Sequence, residues 1–235
     1  MQSLSSKILN RLFNLQKTAL IACAVIPLTV SLPAQAGGIY ANEFGTPEMG
    51  TAGAGAEASA LDASTAIPFY NPAGMTLLEG NQLIVAAGAL LTDVQFDVDP
   101  ATTFGGGNGG QAGNPVPIVT AAYVHSFGDR FRLGIALFGA AGAALEYDLD
   151  WVGRKQAQTS ENLALSLSQT LAYRINDRLS IGGGLNIMAN TLETRIDGLT
   201  DGSKNAIDGS HTQVSFNLSA IFVAGEKTRI GLSYV

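Results

Sequence analysis

Apolar and polar residues alternate along the second half of this chain. Leu163, Leu165, Leu167, Leu171, Tyr173 and Ile175 take odd positions. Ala164, Ser166, Ser168, Thr170, Ala172 and Arg174 take the even ones and are mostly small or polar. A period of two sends successive side chains to opposite faces of an extended strand. Asn176-Asp177-Arg178 turns the chain, and Leu179, Ile181, Leu185 and Ile187 resume the apolar face. The same pattern predicts seven strands. The first runs from Gln82 to Val98, with an ambiguous phase that suggests a bulge. Val116 to Phe127 and Arg130 to Tyr147 come next, then two strands flanking the Asn176 turn. Thr212 to Ala224 is the sixth, and the seventh carries Ile230, Leu232 and Tyr234.

Connection lengths sort by parity. Long ones (99–115, 148–160, 197–211) follow strands one, three and five. Short turns at Gly128-Asp129, Asn176-Asp177 and Gly225-Glu226-Lys227 follow strands two, four and six. Outer-membrane barrels have tight periplasmic turns and long external loops, whereas a soluble sandwich has no reason to sort loops this way. Phe127, Phe131, Tyr173 and Phe222 lie near the short turns, and Tyr147 and Trp151 near a long loop, as two interfacial girdles would require. The expected fold is all-β: an antiparallel transmembrane β-barrel.

Composition and the N-terminus agree. Only 14% of residues are charged while 46% are hydrophobic, which suits apolar residues dispersed on every second position. Lys7, Arg11 and Lys17 precede a mostly apolar stretch, and Pro33-Ala34-Gln35-Ala36 supplies a small-residue cleavage site. Residues 1–36 therefore read as a signal peptide. Pro27 and the small-residue end argue against a membrane anchor, and Lys17 lies too close to Cys23 for a lipoprotein signal. Cleavage would remove the only cysteine and change the net charge from −6 to −9. Such acidity argues against a nucleic-acid partner, whose phosphates need a basic footprint. Residues 37–80 are rich in Gly and Ala and show no sustained alternation. Ala54 to Ala66 is a weak helix candidate, and Pro68 and Pro72 punctuate the residues after it. Ile67, Phe69, Tyr70, Met75, Leu77 and Leu78 make this stretch too apolar for a solvated linker. A compact, irregular segment packed against the rest of the chain is expected.

Chemistry-bearing motifs are sparse. Gly105, Gly107 and Gly110 fit a G-x-G-x-x-G spacing but lack a strand–helix context. His125 and His211 are isolated, and no nucleophile elbow is present. No catalytic residue, metal site or cofactor is expected. Asp148 with Asp150, and Asp197 with Asp201, are loop carboxylates that are either solvated or bridge to lipopolysaccharide through cations. The predicted inward positions are more informative. Strand three offers Arg132, Gly134, Ala136, Phe138 and Ala140; strand five offers Ser180 to Leu192 on even numbers. Phe138, Met188 and Leu192 are apolar where a porin would face water. They suit either a greasy ligand or packing against residues 37–80. Arg132 and Arg174 point inward near the short-turn end, toward either a ligand carboxylate or carboxylates of residues 37–80 such as Glu43 or Glu57.

Several stretches carry a family resemblance. Asn42-Glu43-Phe44, Asn71-Pro72-Ala73, Val116-Pro117, Trp151 with Gly153-Arg154, Leu171 to Ser180, and Thr228 to Tyr234 occur in order along residues 37–235. Together they resemble the FadL-type long-chain fatty-acid transporters of bacterial outer membranes. The resemblance implies a barrel of about fourteen strands, so that this chain would be the N-terminal half of a longer protein, monomeric when complete. It implies that residues 37–80 form a hatch, and that hydrophobic compounds, most simply long-chain fatty acids, enter passively. It also implies a kinked third strand through which ligand leaves sideways into lipid. Gly139 and Gly142 are the candidate kink, since glycine in strands marks bends. Beyond the ligand, the expected partners are outer-membrane lipid and lipopolysaccharide. Two other readings stay open: a general solute channel, conducting sugars or ions without preference for lipids, and an outer-membrane enzyme, for which a nucleophile and base are lacking.

Overall fold

The computed structural model describes residues 46–197 and 204–235. The predicted signal peptide and Asn42, Glu43 and Phe44 lie outside the described residues, as does Asp201. Seven strands form one sheet in sequence order, each antiparallel to the next. They are β1 (Gln82–Leu90), β2 (Val116–Phe127), β3 (Phe131–Glu146), β4 (Thr159–Arg174), β5 (Leu179–Asp197), β6 (Lys204–Gly225) and β7 (Thr228–Tyr234). Among the described residues, no helix is long and apolar enough to cross a membrane. The strands cross instead, since about 9–11 tilted residues suffice for one β-strand.

The two faces of the sheet differ as the alternation demands. One face exposes Leu83, Val85, Val119, Leu133, Ile135, Leu165, Leu171, Ile181, Leu185, Val214, Phe216, Leu218, Ile230 and Leu232. An exposed apolar surface of this extent belongs in lipid, not water. The opposite face carries small and polar residues and buries them: Thr120, Ala136, Ser166, Ser168, Thr170, Ala172, Asn186, Asn217 and Ser219. Residues 46–80 cover that face. They form four short 3₁₀ helices, Pro47–Thr51, Ala56–Ala58, Ala63–Ala66 and Pro72–Leu77. Ala66, Ile67, Tyr70, Met75 and Leu78 of this segment share one core with Val124, Ala136, Phe138, Ala164 and Ala172 of the sheet. The core is thus a layer between an irregular segment and the inner wall.

Three expectations are corrected. The first strand ends at Leu90, not Val98. Its partner begins at Val116 after Pro115, which has no N–H for the ladder; beyond, an isolated bridge, Gln95 to Gln111, and side-chain hydrogen bonds of Gln111 to Thr92 and Val94 replace the ladder. The third long loop is largely paired: β5 and β6 run together up to Asp197 opposite Lys204. Thr, Ser and charged residues replace apolar ones there, so the pattern looks like a loop although its backbone closes a ribbon. Ala54 to Ala66 is not one helix but two separate 3₁₀ turns, as its glycine and serine content favours.

The long connections also pack on each other. Trp151 stacks on Tyr147 (centroids 3.7 Å, planes 9° apart) and meets Phe96 edge-on at 5.8 Å. Trp151 is buried, so it anchors loops rather than joining a lipid-facing girdle. Gly109, at φ +80°, lies against both rings, where a Cβ would come within 2.7 Å. Arg154 donates to the Gly105 carbonyl at 2.9 Å and pairs with Asp197 at 3.4 Å. At the short-turn end the aromatics do face outward. Tyr123, Phe127, Tyr173 and Phe222 are exposed, and His125 packs edge-on to Phe127 at 4.4 Å.

Candidate functional site

The clearest constellation is the contact between residues 46–80 and the inner wall. Asn71 is its centre. It caps the helix Pro72–Leu77, its Oδ1 accepting from the Ala73 amide at 3.1 Å. Pro72 takes the first helical position, where its missing N–H costs nothing. Asn71 Nδ2 reaches the carbonyls of Glu57 at 2.6 Å, Ala220 at 3.0 Å and Leu232 at 3.4 Å. One buried amide thereby links an earlier turn of the segment with β6 and β7. Ala73 N also donates to Ser219 Oγ at 3.0 Å, and Thr76 Oγ1 to Ser180 Oγ at 2.7 Å. Gly182 permits the approach: a Cβ there would lie 2.6 Å from the Ala73 nitrogen. Gly231 leaves room in the same way for the Glu57 carbonyl.

Arg132 and Arg174 close the helix at its other end. Arg174 Nη2 donates to the Thr76 carbonyl. Arg132 Nη2 donates to the Leu78 carbonyl at 3.3 Å, while its Nη1 holds Gly128 and Phe131 carbonyls at 2.7 and 3.1 Å. Both guanidinium groups therefore grip backbone oxygens at a helix C-terminus, where cations are favoured. The expected ion pair with Glu57 does not form: that side chain is exposed, and its backbone carbonyl serves Asn71. Arg132 is buried, yet its Nε has no hydrogen-bond partner among the described residues.

Phe138 and Met188 share one row of the inner wall, separated by Ser166. Phe138 is fully buried and meets Phe69 edge-on at 5.9 Å, so the covering segment occupies that space. Leu192 lies two inward positions beyond Met188, half-exposed and outside the core. Gly139 and Gly142 flank a discontinuity. The β2–β3 ladder stops at Thr120 opposite Phe138. Beyond it, residues 116–119 pair with β1, and 139–146 pair with β4. Ala140 is the extra residue of a bulge between Gly139 and Ala141. Beyond that point Val116 packs against Gly142 without a ladder, and backbone hydrogen bonds resume only from the loop before β2, Asn114 N to the Ala144 carbonyl at 3.0 Å and Glu146 N to the Ala112 carbonyl at 2.8 Å. A groove of about 300 Å³, bordered by Pro117, Val119, Gly139, Ala141, Leu163 and Leu165, lies along this seam. Sequence reasoning singled out Gly139 and Gly142 as a candidate kink but missed Ser180, Ser219 and Gly231 as docking points. Their signal was the run of small residues on inward positions, which reads equally well as simple alternation.

These features define a wall of a transmembrane β-barrel whose inner face is covered by an irregular N-terminal segment. A family model described as outer membrane protein transport protein (OMPP1/FadL/TodX) matches residues 27–235, and the chain belongs to that family of bacterial outer-membrane proteins. It is 35% identical over 119 residues to an outer membrane protein of Neisseria meningitidis serogroup B, covering 47% of this chain and 25% of that one. It is 29% identical over 168 residues to the long-chain fatty acid transport protein of Escherichia coli K12, covering 70% and 36%. The crystal structure of a Pseudomonas aeruginosa FadL homologue superposes with a TM-score of 0.57 at 21% identity, over 73% of this chain and 46% of that chain. A TodX monoaromatic hydrocarbon channel mutant gives 0.55 at 16%, over 75% and 51%. The chain spans a quarter to about a third of the length of these curated relatives and about half of the solved ones. Its relatives are transport proteins and channels rather than enzymes.

Proposed function

We propose that this chain supplies the hatch and half the wall of an outer-membrane barrel for passive uptake of hydrophobic compounds, most simply long-chain fatty acids. Residues 37–80 act as the hatch. The observation that carries this reading is the parting of β2 and β3 directly beside Phe138. Unpaired strand backbone in hydrocarbon costs several kcal/mol per group, so such a seam persists only where it serves a purpose. Ligand leaves through it into lipid, past the small residues Gly139 to Ala144. Apolar burial, about 25 cal/mol per Å², drives entry, with no covalent step. A carboxylate reaching Arg132 and Arg174 would compete with the Thr76 and Leu78 carbonyls and loosen the hatch, while Phe138 and Met188 contact the apolar chain once Phe69 withdraws.

Stitching the seam tests this. A Cβ built on Gly142 lies 3.7 Å from the Val116 Cβ, close to the mean separation of about 3.8 Å in disulfides. Val116→Cys with Gly142→Cys should therefore crosslink β2 to β3. Uptake of labelled oleate should fall by at least about tenfold when the pair is oxidised and recover on reduction. Uptake indifferent to the crosslink would refute lateral exit.

A further inference from the structure

Three buried polar side chains on the inner wall stand in contrast to Asn71. Ser166, Asn186 and Asn217 are each at most 1% exposed. Ser166 Oγ, Asn186 Oδ1 and both polar atoms of the Asn217 amide have no hydrogen-bond partner among the described residues. They occupy neighbouring strands β4, β5 and β6 on successive inward rows: Ser166 opposite Met188, Asn186 opposite Ser168 and Ser215, Asn217 opposite Gly184. Successive members are thus diagonal neighbours, about 7–8 Å apart along such ladders. Leaving one such group unsatisfied is costly, and buried polar groups are otherwise almost always paired. A line of them, beginning beside Phe138 at the edge of the β2–β3 seam, is a built feature of the wall.

We propose that Ser166, Asn186 and Asn217 form an uncharged hydrogen-bonding track, on which the hydroxyl group of an otherwise apolar molecule pairs with one member at a time. Its hydrocarbon part lies along Phe138 and Met188 after Phe69 moves aside. The inference rests on the uptake reading above. The donor and acceptor inventory selects the ligand class: Asn217 presents an N–H₂ and a carbonyl, Asn186 a carbonyl and Ser166 a hydroxyl, and a ligand hydroxyl both donates and accepts. A carboxylate fits poorly, because it offers no donor to the amide oxygens. Arg132 stands three strands from Asn217, about 14 Å at ladder spacing, so it brings no cation to this subsite.

The test uses the full-length protein in detergent micelles, with tritiated 1-dodecanol, dodecane and dodecanoate delivered from the same micelles and retention read by gel filtration. After correction for micelle partition, the wild type should hold the alcohol about tenfold more tightly than the alkane. Asn186→Leu with Asn217→Leu should bring that ratio to about one while alkane and dodecanoate retention stay unchanged. Ser166→Ala, a milder change that tests the site if the double variant does not fold, should lower the ratio about threefold. Equal retention of alcohol and alkane by the wild type, or a ratio untouched by either variant, would overturn the subsite and leave the uptake reading standing. Retention of none of the three ligands would sink both.

Discussion

At the scale of single residues, the contact between the two layers is concentrated in buried polar groups. Asn71 spends its amide on four backbone partners, two in the covering segment and one each in β6 and β7. Asn71→Ala removes a helix cap and leaves buried carbonyls unpaired, a loss of about 3 kcal/mol. The hatch should then detach more often, and leakage of small sugars into proteoliposomes should rise above the wild-type baseline; leakage that stays at baseline would count against a plug. The two arginines show how far residue types carry. Their inward direction followed from strand parity. That they would grip carbonyls of Thr76 and Leu78 rather than carboxylates depended on where a 3₁₀ helix ends, which no residue pattern announces.

At the scale of elements, the pattern places both ends of strand β2, and those of β3 and β7 nearly so, because proline, glycine and charged residues of the turns and loops bracket them. One error falls where pairing stops at Leu90 although the chain still reads as a strand, and the other where alternation lapses but pairing continues. Beyond Ala189, β5 carries Thr191, Glu193 and Arg195 on its outward positions, and β6 opposes them with Ser210, Asp208 and Ala206. These residues suit water, so the ribbon stands above the lipid belt. Replacing residues 191–210 with a two-residue turn should therefore leave membrane insertion intact, seen as an unchanged heat-dependent shift in gel mobility. Failure to insert would mean that the ribbon belongs to the spanning wall. The seam between β2 and β3 is a second element-level fact. Gly139 and Gly142 suggested a bend in one strand; the separation of two ladders is a relation between strands, invisible in either alone.

At the scale of the whole molecule, the sheet separates two environments. Its outward face must meet hydrocarbon, and its inward face meets a covering segment held by hydrogen bonds and one apolar core. Leu185→Arg, on the outward face, should cost about 2–4 kcal/mol of folding free energy into a bilayer, as cations near the midplane do. Asn190→Arg, on an inward position, should cost less than about 1 kcal/mol. Urea titration in lipid vesicles measures both, and equal costs would mean the faces are assigned wrongly. The family match places the protein in the outer membrane, where this two-sided chemistry is required.

The amino-acid sequence alone determined the strand count, the parity of the turns and the face that strand residues take outside the β3 bulge and the residues after it, because side-chain direction in an extended chain is a local consequence of the backbone. It also marked residues 37–80 as too apolar to be a solvated linker. Only the tertiary structure decided which wall groups that segment satisfies and which it leaves unpaired, where β5 and β6 stop pairing, and that β2 parts from β3 beside Phe138. Those outcomes depend on contacts between residues far apart in the chain, and many small or polar side chains could occupy the same positions without revealing their partners.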